Sequence, residues 1–354
     1  MYRLSDKAIA LSPYDPSEGV YRVRMDANES FLLPTDLDRK KMAQAAADIA
    51  LNRYPDPLAR EVCASFAQAY GIRSELVTAG NGSDELISLI LSVFLQKGEK
   101  VLTLSPDFSM YRFYTTIAET PCMTLEKDED LRISVDQVLD TLAKENIRLL
   151  IFSNPCNPTS VGLDRGDVRR LLNGTDALVV LDEAYMDFWD QSLLNEVEKY
   201  DNLIILRTCS KMLGMAALRL GFAVANPRLT GILKAAKSPY NVNAVTQAMA
   251  NVVLANPIYK NVYREILIES RNELLTSLRK LEAEGLIDRI YDSCTNFVYI
   301  RLKGAKRIYD LLRDRGILVR RFGDDYLRIT AATQAENEEV TAVIRFLQMH
   351  KEVK

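Results

Sequence analysis

Histidine is almost missing from this chain of 354 residues, which carries one, His350, four residues from its end. Ser-His-Asp and Cys-His hydrolysis, histidine general-base catalysis and histidine-based zinc sites each need an imidazole at the reacting centre, so they are nearly excluded. Acid–base work falls to Lys, Asp, Glu, Tyr or a cofactor, and no metal site is expected. Paired cysteines are missing as well. Cys63, Cys122, Cys156, Cys209 and Cys294 are dispersed and odd in number, which points to free thiols in a reducing compartment. No charge of one sign dominates, with 45 Lys plus Arg against 48 Asp plus Glu. That balance supplies no field for nucleic acid or an anionic membrane as the main partner. No apolar run approaches the roughly 20 residues that a bilayer span needs. The opening segment "MYRLSDKAIALSPYDP" lacks the apolar core and cleavage pattern of a signal peptide. A cytoplasmic protein is expected.

What is present is a rhythm. Short apolar runs, "KVLTLS" (100–105), "RLLIFS" (148–153), "ALVVLD" (177–182), "NLIILRT" (202–208) and "GFAVA" (221–225), read as strands. Segments long enough for a helix separate the first four. Continuous apolar strands with crossover helices predict a mostly parallel sheet covered on both faces. Ligands collect beyond the carboxyl ends of such strands. Past residue 256 a long charged amphipathic helix leads into mixed helices and strands. This predicts an α/β chain with a large domain over 30–256 and a smaller α+β domain from 1–29 and 257–354.

The strand ends carry the chemistry. "NPCNPTS" follows the second run and would aim an Asn amide at a ligand, although an Asn-Pro turn alone explains it. "DEAYMDF" places Asp182 at the end of a buried strand with Tyr185 three residues on. Helix capping would account for Asp182; a buried carboxylate facing a pocket would instead need a cationic partner. "NGSDELI" opens a helix whose first N–H groups suit a phosphate, or are merely capped. "PDFSMY" brings Tyr111 to the same edge, as core or as a platform for a ring. Lys211, in "RTCSKMLGMAALRLGF", is an ordinary surface lysine unless the strand before it makes it a ligand-facing amine. Together, five strand ends supply an amine for an imine, a carboxylate for a pyridinium, donors for a phenolic oxygen and a phosphate cup. Pyridoxal 5′-phosphate is the ligand that uses all of them.

These segments also resemble a family. "LSPY", "DANES", "RYPD", "GNGSDELI", "PDFSMY", "NPCNPTS", "LDEAYMDF", "RTCSKMLGMAALRLGF", "PYNVN", "TNFVYI" and "YLRIT" stand in the order and spacing of the fold-type-I pyridoxal-phosphate aminotransferases. The likeness is greatest to the branch acting on histidinol phosphate in histidine biosynthesis. It implies the aspartate-aminotransferase-like fold and a homodimer with shared sites, an amino donor passing its nitrogen to a 2-oxo acid such as 2-oxoglutarate. It implies Lys211 as the amine that binds the cofactor's aldehyde and moves the substrate proton. Asp182 would partner the ring nitrogen, Tyr185 and Asn157 the ring's 3′-oxygen, and Tyr111 would stack on the ring. Gly82, Ser83, Asp84, Thr208, Ser210 and Arg219 would form the phosphate cup. Tyr54 would reach the phosphate in the neighbouring subunit, Arg328 would grip the substrate's acid group, and Tyr14, Asn28, Asn241 and Arg320 would surround the substrate. Ser160 departs from the family's usual Gly, Cys209 and Ala217 from Leu and Gly, and "RITAAT" from "RITVGT". Ser160 and the Arg320-Arg321 pair leave room for two alternatives on the same scaffold, an aromatic amino-acid aminotransferase and a threonine-phosphate decarboxylase. A non-catalytic effector-binding module is the reading from another class.

Overall fold

The computed structural model describes residues 2–11 and 19–349. Among these residues twelve strands follow one another: β1 (Val23–Met25), β2 (Val77–Asn81), β3 (Val101–Ser105), β4 (Cys122–Glu126), β5 (Leu149–Ser153), β6 (Leu178–Asp182), β7 (Leu203–Thr208), β8 (Leu220–Ala225), β9 (Arg289–Ile290), β10 (Phe297–Arg301), β11 (Ile317–Phe322) and β12 (Tyr326–Thr330). β2 to β8 form one sheet in the order β2-β8-β7-β6-β5-β3-β4. Its pairings are parallel except those of β8, which runs against both β7 and β2. β2, β3, β5, β6 and β7 therefore end on the same edge.

Successive side chains of a strand face opposite sides of its sheet, and here both sides are covered. Leu150 and Phe152 of β5 enter one buried cluster with Leu203 and Ile205 of β7. Leu149 and Ile151 enter another with Ile204 and Leu206. Helices supply the cover, among them Gly82–Phe94 on the second side and Arg60–Tyr70 and Ala244–Leu254 on the first. This double burial is why the runs read as continuously apolar rather than alternating.

The second sheet has the order β1-β11-β12-β10-β9, antiparallel except for the β1–β11 pair. It buries its own cluster, including Val298, Ile300, Leu327 and Ile329. The helix Arg264–Ala283 joins the two bodies: Leu267 packs in the first core, Leu274, Leu278 and Leu281 in the second.

Two features differ from the reading of the sequence. β4, in "PCMTLE", adds a strand at the sheet edge; its residues are only half-buried, so no continuous apolar run marks it. Between β6 and β7 the chain makes two short 3-10 turns, Met186–Phe188 and Leu194–Lys199, instead of a crossover α-helix. Buried ionic contacts hold that segment. Arg207 on β7 pairs with Glu183 at 2.9 Å and with Asp187, while Tyr70 donates to Asp187 at 3.0 Å and Ser192 to Glu183 at 2.6 Å. Satisfying those charges fixes the backbone away from helical geometry, because leaving any of them unpaired in the interior would cost several kcal/mol.

Candidate active site

A cavity of about 520 Å³ lies where the carboxyl ends of β3, β5, β6 and β7 face β11 and β12. Asp182, the last residue of β6, lines it and is 4% exposed. Its Oδ2 accepts from the Tyr111 hydroxyl at 2.8 Å and its Oδ1 from the Ala184 amide at 3.1 Å. Burial pushes its pKa up to about 7, against the lowering effect of those two hydrogen bonds. Among the described residues no cation pairs with it. A buried carboxylate of this kind asks for a positive partner inside the cavity.

Lys211 follows β7 and also lines the cavity. Its Nζ donates to the Ala27 carbonyl at 2.8 Å, in the segment after β1, and stands 5.7 Å from the centre of the Tyr185 ring. The cavity wall thus joins both sheets at the reactive amine. Tyr185 is buried, and its hydroxyl accepts from Asn28 Nδ2 at 2.8 Å. Asn28 Oδ1 in turn accepts from the Thr330 hydroxyl at 3.0 Å. With its oxygen lone pair engaged, the Tyr185 proton remains available to an acceptor in the cavity. Asn157 accepts from Arg328 through its amide oxygen, which leaves the Nδ2 group to donate. Arg328 also donates to the Asp26 carbonyl and lies over Phe297 and Phe322, at 5.3 and 5.7 Å from their centres.

One end of the cavity is built to hold an anion. The helix Gly82–Phe94 starts there, so its first amide groups and dipole face the space. Gly82 has φ +80, and a Cβ on it would stand 2.7 Å from Arg219 Nη2. A Cβ on Gly221 of β8 would strike the Ser83 amide nitrogen at 2.5 Å, so glycine is what lets that turn sit against the sheet. Ser83, Thr208, Ser210 and Arg219 line this end, with the Thr208 hydroxyl donating to Ser210 Oγ at 3.1 Å. Asp84 pairs with Arg219 at 3.3 Å. Its carboxylate is therefore not the group that would meet a phosphate; its amide and the guanidinium it orients are.

The structure corrects two expectations. Tyr111 is fully buried, does not line the cavity and spends its hydroxyl on Asp182. The aromatic residue that does line it is Phe108, whose ring meets Tyr111 edge-on at 5.5 Å. The first helical turn from Met110 turns Tyr111 inward and leaves Phe108 at the wall. Asn241 does not reach the cavity either. It accepts from Lys237 at 2.7 Å and donates to Glu85 at 2.7 Å, so its amide fastens the helix start instead. Tyr54 lies outside the cavity of its own chain, 81% exposed and stacked on Tyr240 with centroids 4.6 Å apart. Tyr14 lies outside the described residues.

Residues to which no role had been given also line the space: Asp26, Ala27, Asp107, Phe108 and Tyr114. Asp107 and Phe108 sit in "PDFSMY" and were within reach of the sequence. Asp26 and Ala27 sit in "DANES", where the resemblance had put Asn28 near the substrate, but nothing local shows that this segment returns beside Lys211. The departures from the family pattern find their places too. Ser160, at φ +63 and fully buried, donates to the Asp292 carbonyl at 2.9 Å, tying the "NPCNPTS" loop to the chain before β10 rather than facing the cavity. Arg320 lines the cavity, whereas Arg321, on the other side of β11, pairs with Asp324 at 3.3 Å. Cys209 is core and Ala217 is exposed.

The donor set fits pyridoxal phosphate: an amine, an uncompensated buried carboxylate, oxygen-directed donors from Tyr185 and Asn157, and an anion cup. Comparison with known proteins agrees. Residues 23–344 match the model of the family described as aminotransferase class I and II. A histidinol-phosphate aminotransferase of Clostridium kluyveri is 39% identical over 332 residues, covering 93% of each chain. One of Clostridium novyi is 37% identical and covers 94% of each. In fold, the chain resembles a histidinol-phosphate aminotransferase from Sinorhizobium meliloti solved with pyridoxal 5′-phosphate, with a TM-score of 0.87, 24% identity, and coverage of 98% and 99%.

Proposed function

Because the chain belongs to the class I and II aminotransferases, we propose that it transfers the amino group of histidinol phosphate to 2-oxoglutarate, as a step of histidine biosynthesis. The observation that carries this reading is the pairing of two relatives of that name, 37–39% identical over nearly the whole chain, with a second cationic position in the cavity. Arg320 and Arg328 are register partners on β11 and β12, and both line the space opposite the anion cup. Histidinol phosphate has no carboxylate, so these guanidiniums would take its phosphate.

Pyridoxal phosphate, when bound, supplies an aldehyde that holds the substrate amine and a ring that accepts electrons from carbon. Lys211 Nζ is the attachment point for that aldehyde. Once released, the same amine would take the proton from the amine-bearing carbon and carry it, which suits a site with no histidine among the described residues. Asp182 would hold a proton on the ring nitrogen, since a cation there restores the carboxylate that burial disfavours. Tyr185, fixed by Asn28, and Asn157, fixed by Arg328, would donate to the 3′-oxygen. Ser83, Ser210, Arg219 and the start of Gly82–Phe94 would hold the phosphate, and Phe108 would cover a ring face.

The exposed Tyr54–Tyr240 stack supports a homodimer in which Tyr54 completes the partner's phosphate site. Among the described residues no helix is long and apolar enough to cross a membrane; a cytoplasmic setting is part of the proposal. A screen of amino donors tests the reading. Histidinol phosphate should convert the bound cofactor to its amine form at a kcat/KM well above those of Phe, Tyr and threonine phosphate, with competitive inhibition by inorganic phosphate. Preference for an unphosphorylated aromatic donor, or release of carbon dioxide from threonine phosphate, would replace it.

A further inference from the structure

A second charged pair is buried behind the cavity. Lys127, just past the end of β4, and Asp107, just past the end of β3, have side chains 1% and 2% exposed and approach to 3.9 Å. Lys127 Nζ donates to the Pro106 carbonyl at 2.8 Å and lies 3.0 Å from Cys156 Sγ. Asp107 accepts from the Ser153 hydroxyl, from the Ser153 amide at 3.3 Å and from the Phe108 amide at 2.8 Å. Lys127 therefore sits at the junction of the two loops that present Phe108 and Asn157 to the cavity.

The pair is oriented. Asp107 lines the cavity and Lys127 does not, so the negative end faces the space. Asp107 also stands near Asp182: Ser153, which donates to Asp107, is the register partner of Asp182, and Tyr111, four residues after Asp107, donates to Asp182. Two buried carboxylates near one another repel, and neither can stay ionised without a cation. For Asp107 that cation is Lys127, which offsets part of the rise in pKa that burial imposes on the carboxyl. For Asp182 it is the protonated ring nitrogen.

We propose that Lys127 is a positioning residue for the cofactor's pyridine ring, holding Asp107 ionised so that two carboxylates, Asp107 and Asp182, favour the positive charge on the ring nitrogen. The inference rests on the cavity being the pyridoxal-phosphate site. Beyond Lys127, the charged and titratable groups around the two acids are Tyr111, Cys156 and Asp84, which is paired with Arg219, and Lys211, Arg320 and Arg328 line the same cavity. Among the described residues, Lys127 is the cation that forms an ion pair with Asp107, and none forms one with Asp182. Without Lys127, Asp107 takes up a proton and its field on the ring nitrogen disappears.

The test compares two probes on the full-length protein: pyridoxal 5′-phosphate, and its analogue with carbon in place of the ring nitrogen. Lys127→Met should raise the dissociation constant for pyridoxal phosphate about tenfold while leaving the analogue within about twofold. Asp107→Asn should do the same, and the double variant should lose no more than either single one, because both changes end in a neutral residue 107. A merely structural lysine would weaken both probes equally; that result, or unchanged binding of both, overturns the proposal. Should Lys127→Met fail to fold, Asp107→Asn alone gives the same comparison. If the unaltered protein binds neither probe and borohydride fixes no pyridoxal phosphate to Lys211, the cofactor reading falls and takes this one with it.

Discussion

The Tyr111 hydroxyl donates to Asp182 Oδ2 at 2.8 Å, from within the core rather than from the cavity wall. This bond lowers a pKa that burial has raised to about 7. In the unfolded chain the carboxyl titrates near 3.9, so the folded, cofactor-free protein binds the extra proton between about pH 4 and pH 7. The sign follows: the stabilising contribution is complete below the unfolded value and is lost as pH rises through the folded one. Asp182→Asn should therefore make the cofactor-free protein more stable than its parent at pH 8, by up to about 4 kcal/mol, with the gap shrinking towards pH 5. Denaturant unfolding at both pH values checks it. Tyr111→Phe should enlarge the parent's loss of stability between them.

Phe108, rather than the expected Tyr111, is the aromatic residue at the cavity wall. Phe108→Ala should weaken pyridoxal phosphate by about three- to tenfold through loss of a ring contact worth about 0.5–1.5 kcal/mol. Titration of the cofactor-free protein would show it. Tyr111→Phe keeps the core volume and should leave the face of the ring covered.

Lys211→Ala should lower kcat by several orders of magnitude, because one amine serves as attachment point and proton carrier. Borohydride reduction followed by peptide mapping should find the cofactor on Lys211 in the parent and nowhere in the variant. Retained turnover would remove the lysine from the mechanism.

Arg320→Met should raise KM for histidinol phosphate about 10- to 100-fold, the range expected for a hydrogen bond to a charged group, with a smaller effect on kcat. The same change should weaken inhibition by inorganic phosphate in parallel. Arg328 is a poorer test, since its loss also strands Asn157 and the Asp26 carbonyl.

Ser160 holds a left-handed conformation, φ +63, that glycine adopts without strain. Ser160→Ala should cost about 1–2 kcal/mol, losing the bond to Asp292 while keeping the strained backbone. Ser160→Gly should come close to the parent, and neither should change the choice of amino donor. Thermal unfolding and the donor screen separate these outcomes.

Strand-end chemistry was legible in the sequence because it is local. An apolar run buried on both faces announces itself, and the residue after it lies at the sheet edge whatever the rest of the fold does. That is why Asp182, Asn157 and Lys211 could be placed at strand ends from the sequence, whereas Ser210 and Arg219 were named through the family resemblance. Turns that depend on buried charges were not local: the 3-10 segment after Tyr185 exists because Arg207 must meet Glu183 and Asp187. The inward turn of Tyr111 hung on one helical turn, and the place of Asn241 on a competing bond to Glu85. Ala27 beside Lys211, Arg320 beside Arg328, and Lys127 behind Asp107 join residues 184, 8 and 20 positions apart. Sequence by itself determined which groups are available and at which strand ends. Only the tertiary structure decided which of them share the cavity, because burial, charge pairing and strand register act between segments that no local pattern links.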